Sequence, residues 1–221
     1  MLPLWDDTLR RRAPVATATL LAVNAAVFFH EAQLAMAGRL TPFVWAHALV
    51  PARLLAHWTD GAQWLTVLTH MFLHGSLTHI LGNGWFLWVF GRSVEDRIGT
   101  GRFLLLYFTA GVAAAALQVL FTPDAAGPML GASGAISGVL GAYLVLLPAA
   151  WITTLVPWIV PIVPVPAVVF LVLWFVLQAF SGFGTLFQNQ PGGGVAWWAH
   201  AGGFLAGASL TLQARGARRR R

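Results

Sequence analysis

Apolar positions along the chain gather into six runs, and each run is close to the length at which a helix crosses a hydrocarbon core about 30 Å thick. They cover residues 15–37, 74–91, 102–121, 131–147, 158–180 and 195–213, and predict an all-α polytopic membrane protein of six transmembrane helices. No charge separates the fourth run from the fifth. The division there rests on Pro148, Pro157, Pro161 and Pro164, because proline lacks a backbone donor and clashes with the preceding turn of a helix. The longest connection, 38–73, is not simply hydrophilic. Phe43, Val44, Trp45, Leu49, Leu54, Leu55, Trp58 and Trp64 suit a segment lying in the membrane interface. Glycine-rich polar clusters at 181–184 and 188–194 mark a turn before the sixth run.

Composition agrees with this pattern. Hydrophobic residues make up 58% of the chain and charged residues only 9%, against roughly 25% charged in ordinary soluble domains, which excludes a water-soluble globule. All basic residues are arginine, and their distribution carries the topology. Arg10–Arg12, Arg92, Arg97, Arg102, Arg215 and Arg218–Arg221 fall on one side of the predicted spans, with Arg39 and Arg53 on the other. The positive-inside rule then puts both termini in the cytoplasm and starts spans two, four and six at the outer face. The predicted organisation is a cytoplasmic tail at 1–14, a six-span domain at 15–213 and a basic cytoplasmic tail at 214–221. A sequence pI near 11.5 is explained by arginines beside spans, so no nucleic-acid partner is expected. With no cysteine, disulfides, thiolate metal sites and cysteine nucleophiles are excluded. Residues 1–14 are polar and basic and do not read as a cleavable signal. Short tails without a presequence favour a bacterial inner membrane.

Strongly polar groups inside spans are expensive and face the bundle interior or a water-filled cavity. The candidates are His79 and Asn83 in span two, Ser133 in span four and His200 in span six. All lie within about the first two turns of spans that start at the outer face, hence at similar depth. Gly134 with Gly138, and Gly203 with Gly207, form two GxxxG pairs that permit close helix approach. If those faces pack, the Ser133 hydroxyl and the His200 imidazole come within hydrogen-bond reach, the arrangement that activates a serine nucleophile. His79 and Asn83, spaced i, i+4, share a helix face. Together with the Ser133 backbone N–H they can serve as donors to a developing oxyanion. The seven acids, Asp6, Asp7, Glu31, Asp60, Glu95, Asp96 and Asp124, lie in tails, loops or span ends, so a Ser–His dyad is expected rather than a triad. Of these, Asp124 is nearest Ser133 in sequence and reads as a solvated loop acid.

Other uses of these residues fit less well. Ser133 and His200 taken singly could be packing and hydrogen-bonding residues, as Ser137 is read to be. Residues 131–134 are not the soluble-hydrolase elbow, since Ala135 stands where GxSxG needs glycine. His70 and His74 are spaced i, i+4 but enclose no acid, and His30–Glu31 lacks the second histidine of HExxH; no metal and no cofactor is expected. His70 and His74 read instead as anchors of the interfacial connection. A transporter would more often show inverted repeats with broken helices, and none is evident.

The order and spacing of four segments resemble the rhomboid intramembrane serine proteases over nearly the whole chain. They are His74-Gly-Ser-Leu-Thr-His79-Ile-Leu-Gly-Asn83, Val94-Glu95-Asp96-Arg97 followed by Gly99, Gly131-Ala-Ser133-Gly134, and Ala199-His200 followed by Gly203 and Gly207. The resemblance implies a rhomboid-like six-helix bundle with Ser133 as nucleophile, His200 as general base, His79 and Asn83 as oxyanion donors, and a water-filled site open to the extracytoplasmic side. It implies as partners the lipid bilayer and single-span membrane protein substrates, cut in or near the span. A proteolytically silent relative that binds membrane clients is the alternative, against which Ser133 and His200 both stand. Two departures concern the site. Many members carry a Trp-Arg pair where this chain has Leu65-Thr66, and some carry an aromatic residue packed on the catalytic histidine where this chain has Ser137. Trp197 or Trp198 is the expected substitute for orienting His200.

Overall fold

The computed structural model describes residues 1–156, 160–186 and 196–219. The fold is mostly helical. A first long helix, α1 (Val15–Met36), is followed by three short helices, α2 (Leu40–His47), α3 (Pro51–Ala56) and α4 (Gly61–Thr69), and a tight turn at His70–Phe72. Next come α5 (Leu77–Phe86) and α6 (Arg92–Ile98), joined without a break through a wider π-type turn at Leu87–Gly91. The remaining helices are α7 (Thr100–Phe121), α8 (Ser133–Leu146), α9 (Ala167–Leu186) and α10 (Trp197–Arg219). At 22 residues each, α1 and α7 reach about 33 Å at 1.5 Å per residue, and they are apolar enough to cross a bilayer by themselves. Phe29, Leu105, Leu120 and Phe180 are 65–73% exposed on the outside of the bundle, where only lipid makes their exposure favourable.

Of the predicted fifth span, 158–180, the described residues before Ala167 are not helical as the proline-based division predicts. A three-stranded antiparallel sheet comes first, in the order β1 (Leu2–Asp6), β2 (Trp151–Val156), β3 (Val160–Pro166). The fifth long helix therefore begins at Ala167. The physical cause is the alternation Val160-Pro-Ile-Val-Pro-Val-Pro166, which no helix interior tolerates but an edge strand does. At its other end α9 absorbs 181–184, expected to be a turn, while 188–194 lies outside the described residues. The sheet also engages the segment read as an N-terminal tail. Asp6 pairs with Ile152 in the β1–β2 register, and its buried carboxylate accepts from Ser93 Oγ at 2.6 Å, Tyr143 Oη at 2.8 Å and Thr8 Oγ1 at 2.7 Å and pairs with Arg10.

Glu95 closes the same end of the molecule. Its carboxylate accepts from the Ala16 and Thr17 backbone N–H groups and from the Thr17 hydroxyl, each at 2.8 Å. It thereby caps the N-terminus of α1, which has no capping side chain of its own at Pro14. Asp96 accepts from the Arg11 and Arg12 N–H groups, both at 2.8 Å. Burial alone would raise both carboxyls, but the N–H and O–H donors to Glu95, and for Asp96 the Arg11 and Arg12 N–H groups with the Arg97 and Arg12 charges beside it, outweigh it and hold both below their ordinary range.

The core is densest where α8 passes α10. A Cβ on Gly203 would overlap the Gly134 carbonyl oxygen, and one on Gly207 would overlap that of Gly138. The two GxxxG pairs are thus in backbone contact with each other.

Candidate active site

Four separate elements carry the polar residues to one place. Ser133 is the first residue of α8, so the leading N–H groups of that helix, its own included, have no intrahelical acceptor. The preceding Gly131 has φ +120°, a conformation that glycine supports and L side chains rarely adopt. Its N–H donates to the His70 carbonyl at 2.8 Å, which ties the approach to α8 to the turn after α4. Burial pushes the His70 imidazole down to about 4, and its Nδ1–H donates locally to the Thr66 carbonyl at 3.0 Å.

His200 lies in the first turn of α10, one helix-to-helix contact away. Its Nε2 is 2.8 Å from Ser133 Oγ, and the residue is buried at 8% exposure. The close glycine contacts of α8 with α10 bring the two side chains into range: the first overlap, Gly134 against Gly203, is one residue past Ser133 and three past His200. At the start of α10 the Ala199 N–H donates to Gln118 Oε1 of α7 at 3.1 Å, fixing where that helix begins.

His79 and Asn83 approach from α5. Ser76 caps this helix by accepting from the His79 N–H at 3.1 Å, so His79 sits in its first turn. The His79 ring and Asn83 Nδ2 both lie over the Cα of Gly131, so that a Cβ there would come within 2.7 Å of the His79 ring. Asn83 Nδ2 is buried and has no hydrogen-bond partner among the described residues. An unpaired buried donor costs free energy, and this one is directed at the loop that ends in Ser133.

His200 is oriented by Gln178 and Trp174, which the sequence reading does not single out, and by Trp197, which it does. Its Nδ1 is 2.7 Å from Gln178 Oε1 of α9. Trp174, one turn earlier on α9, lies with its ring centroid 6.1 Å away at 36°, and Trp197 at 6.1 Å and 88°. Trp197 was anticipated; Trp198 instead stacks on Phe121 at 4.0 Å. Ser137 makes no contact of this kind, its hydroxyl turning back to donate to the Ser133 carbonyl at 2.6 Å. Gln178 had one available signal, as the only amide or ionisable side chain in the apolar run of α9.

The interfacial connection is pinned without a Trp-Arg pair. Arg53 donates to the Trp45 and Ala48 carbonyls at 2.6 and 2.9 Å, and Thr69 donates to the His47 carbonyl at 2.7 Å. Thr66 donates only to Gln63 of its own helix, at 2.6 Å. Leu49 and Met129 exchange backbone bonds of 3.1 and 2.7 Å, joining this connection to the segment before α8. The His74 N–H donates to the Glu31 carboxylate at 3.2 Å, so anchoring by His70 and His74 runs chiefly through their backbones. Asp124 is exposed.

Fold and site together define a multi-pass membrane protein with a serine and a histidine paired in its helical core. The chain belongs to the rhomboid family, whose domain profile matches residues 61–215. It is similar to the rhomboid protease GluP of Bacillus subtilis (strain 168), 40% identical over 74 residues that make up 34% of this chain and 14% of that protein. It is also similar to the rhomboid protease GlpG of Salmonella paratyphi A, 27% identical over 213 residues, 94% of this chain and 67% of that one. A third relative, the putative rhomboid protease YdcA of Bacillus subtilis, is 29% identical over 83 residues, 33% of this chain and 42% of YdcA.

Proposed function

We propose that the protein is a serine-type intramembrane endopeptidase that cleaves single-span membrane proteins in or near their transmembrane segment, at the extracytoplasmic side. The observation that carries this reading is the 2.8 Å contact between Ser133 Oγ and His200 Nε2. His200 takes the hydroxyl proton as Oγ attacks the scissile carbonyl carbon, then returns it to the leaving amine. Water hydrolyses the resulting acyl-enzyme with the same histidine as base. During both steps the oxyanion is stabilised by Asn83 Nδ2, the His79 ring and the Ser133 N–H at the start of α8. The substrate segment must unwind to be cut, because a helix keeps its carbonyls in its own hydrogen bonds.

Six passes are supplied by α1, α5 with the turn at Leu87–Gly91, α7, α8, α9 and α10. Both termini face the cytoplasm of a bacterial inner membrane. The clustering of Arg10–Arg12 with Asp96 and Arg97 at one end of the bundle, where Arg12 lies against Gly99, supports that orientation.

The test is cleavage of a single-span reporter by purified wild type, Ser133→Ala and His200→Ala proteins in liposomes, with a chelator present. Loss of cleavage in both variants, unaffected by chelation, is the expected result. Undiminished cleavage by Ser133→Ala overturns the assignment.

A further inference from the structure

We propose that Gln178 is a positioning residue for His200, fixing through its side-chain oxygen the one imidazole tautomer that can accept a proton from Ser133. The proposal rests on the proteolytic reading above and explains how the site operates without a carboxylate. To accept the Ser133 proton, Nε2 of His200 must carry no hydrogen, so the single proton of the neutral ring must reside on Nδ1. A buried proton on Nδ1 needs an acceptor, and His200 is buried. Gln178 Oε1 at 2.7 Å from Nδ1 is that acceptor, and it lies on the opposite side of the ring from Ser133 Oγ at 2.8 Å from Nε2. The reverse amide orientation, with the Gln178 NH2 group facing Nδ1, would donate to that nitrogen. The ring proton would then be driven to Nε2 and the base disabled, so the amide's orientation decides whether the dyad is competent.

Three further observations support the assignment. Gln178 is the only amide or ionisable side chain of α9, and a group of that polarity is costly in a membrane helix unless it has a partner. Ser137, in the position one turn after the nucleophile, is turned back onto the Ser133 carbonyl and contributes nothing to holding the ring. Trp174 and Trp197 border the imidazole, but their ring contacts restrict its tilt without distinguishing one nitrogen from the other. Among the described residues, Gln178 is thus the group that makes Nδ1 and Nε2 chemically different. Of the titratable groups on neighbouring elements, His79 of α5 acts on His200. The polar groups that α7, α8 and α9 present around it, Gln118, Ser133 and Gln178, are uncharged. Whatever charge stands beside Nδ1 therefore depends on position 178.

This makes the isosteric Gln178→Glu variant the most informative one. A carboxylate in the same place still accepts from Nδ1, but it also stabilises the imidazolium, so the base is protonated up to a higher pH. The acid limb of kcat/KM should then move upward by about one pH unit or more, with activity retained on the alkaline side. Gln178→Leu removes the acceptor and should lower kcat by about ten- to a hundredfold, the range for one lost hydrogen bond to a group that becomes charged, while KM stays close to wild type because no substrate contact is lost. Both profiles are measured on the full chain in liposomes. The rate of Ser133 labelling by a fluorophosphonate probe is followed in parallel across the same pH range, since it reads nucleophile activation without a protein substrate. A structural role alone would change thermal unfolding and not the pH limb; should Gln178→Leu fail to fold, the Gln178→Glu limb decides. Ser133-dependent labelling whose acid limb coincides in wild type and Gln178→Glu overturns the role of Gln178 alone. Labelling and cleavage that survive Ser133→Ala overturn the proteolytic reading and this inference with it.

Discussion

At the scale of single residues, the site combines groups whose polarity makes sense only together. Asn83 Nδ2 is buried and without a partner among the described residues, a cost that the proposed mechanism recovers when an oxyanion forms beside it. Removing it should therefore affect the transition state more than the folded state. Asn83→Ala is expected to lower kcat by about a hundred- to a thousandfold, the usual loss for one oxyanion donor, with thermal stability unchanged or slightly increased. His79→Ala should fall in the same range of activity, and neither should abolish cleavage, since the Ser133 N–H remains. Steady-state kinetics on the reporter together with unfolding in detergent checks both halves of the prediction. Full rates in both single variants and in the double variant would contradict the oxyanion assignment.

Among elements, the decisive contact is between α8 and α10. Backbone carbonyls of Gly134 and Gly138 occupy the space where side chains of Gly203 and Gly207 would be. These atoms belong to helix backbone and cannot rotate away, so accommodating a side chain means moving a whole helix. Gly207→Val is expected to destabilise the protein by about 3 kcal/mol and to separate Ser133 from His200, although it lies about two turns along α10 from His200. Cleavage should fall together with the midpoint of thermal unfolding. By contrast, Gly216 in the same helix has open space where a Cβ would go, and Gly216→Ala should leave both quantities unchanged. Equal behaviour of the two variants would show that the glycine contact does not position the dyad.

For the molecule as a whole, the end opposite the site is closed by acids that bind distant chain segments. Glu95 caps α1 across 79 residues of sequence, Asp96 holds the backbone at Arg11 and Arg12, and Asp6 joins β1 to α6 and α8. Because Glu95 and Asp96 have folded-state values below their ordinary ones, the unfolded chain binds protons more readily. Their contribution to stability is then fully present above the unfolded values near 4 and is lost as pH falls through the depressed folded values. Thermal unfolding of wild type followed from about pH 6 down to pH 3 should show a steeper loss than that of Glu95→Gln. The variant should be less stable at pH 6 and approach wild type at the acid end. Parallel curves would mean that this carboxylate does not link pH to folding.

Much of this was legible in the sequence for a physical reason: a bilayer converts burial into length and polarity. Helix-length apolar runs read as spans, and the few polar residues inside them read as facing one another rather than lipid, which is why Ser133, His200, His79 and Asn83 stand out in the sequence. The glycine spacings likewise announced which helix faces meet. Other features depended on partners far apart in sequence, where no local pattern records the pairing. The proline-rich stretch at 160–166 became a strand because β2 could pair with it, and Asp6 and Glu95, both read as acids of tails or span ends, are buried because distant donors surround them. Gln178 is the sharpest case. Within its own helix it is an isolated amide, and only the packing of α9 against α10 brings it to the second nitrogen of the histidine. Sequence alone determined which residues could not face lipid; tertiary structure decided which atom of each meets which, because a hydrogen bond is set by position to within tenths of an ångström and periodicity is not.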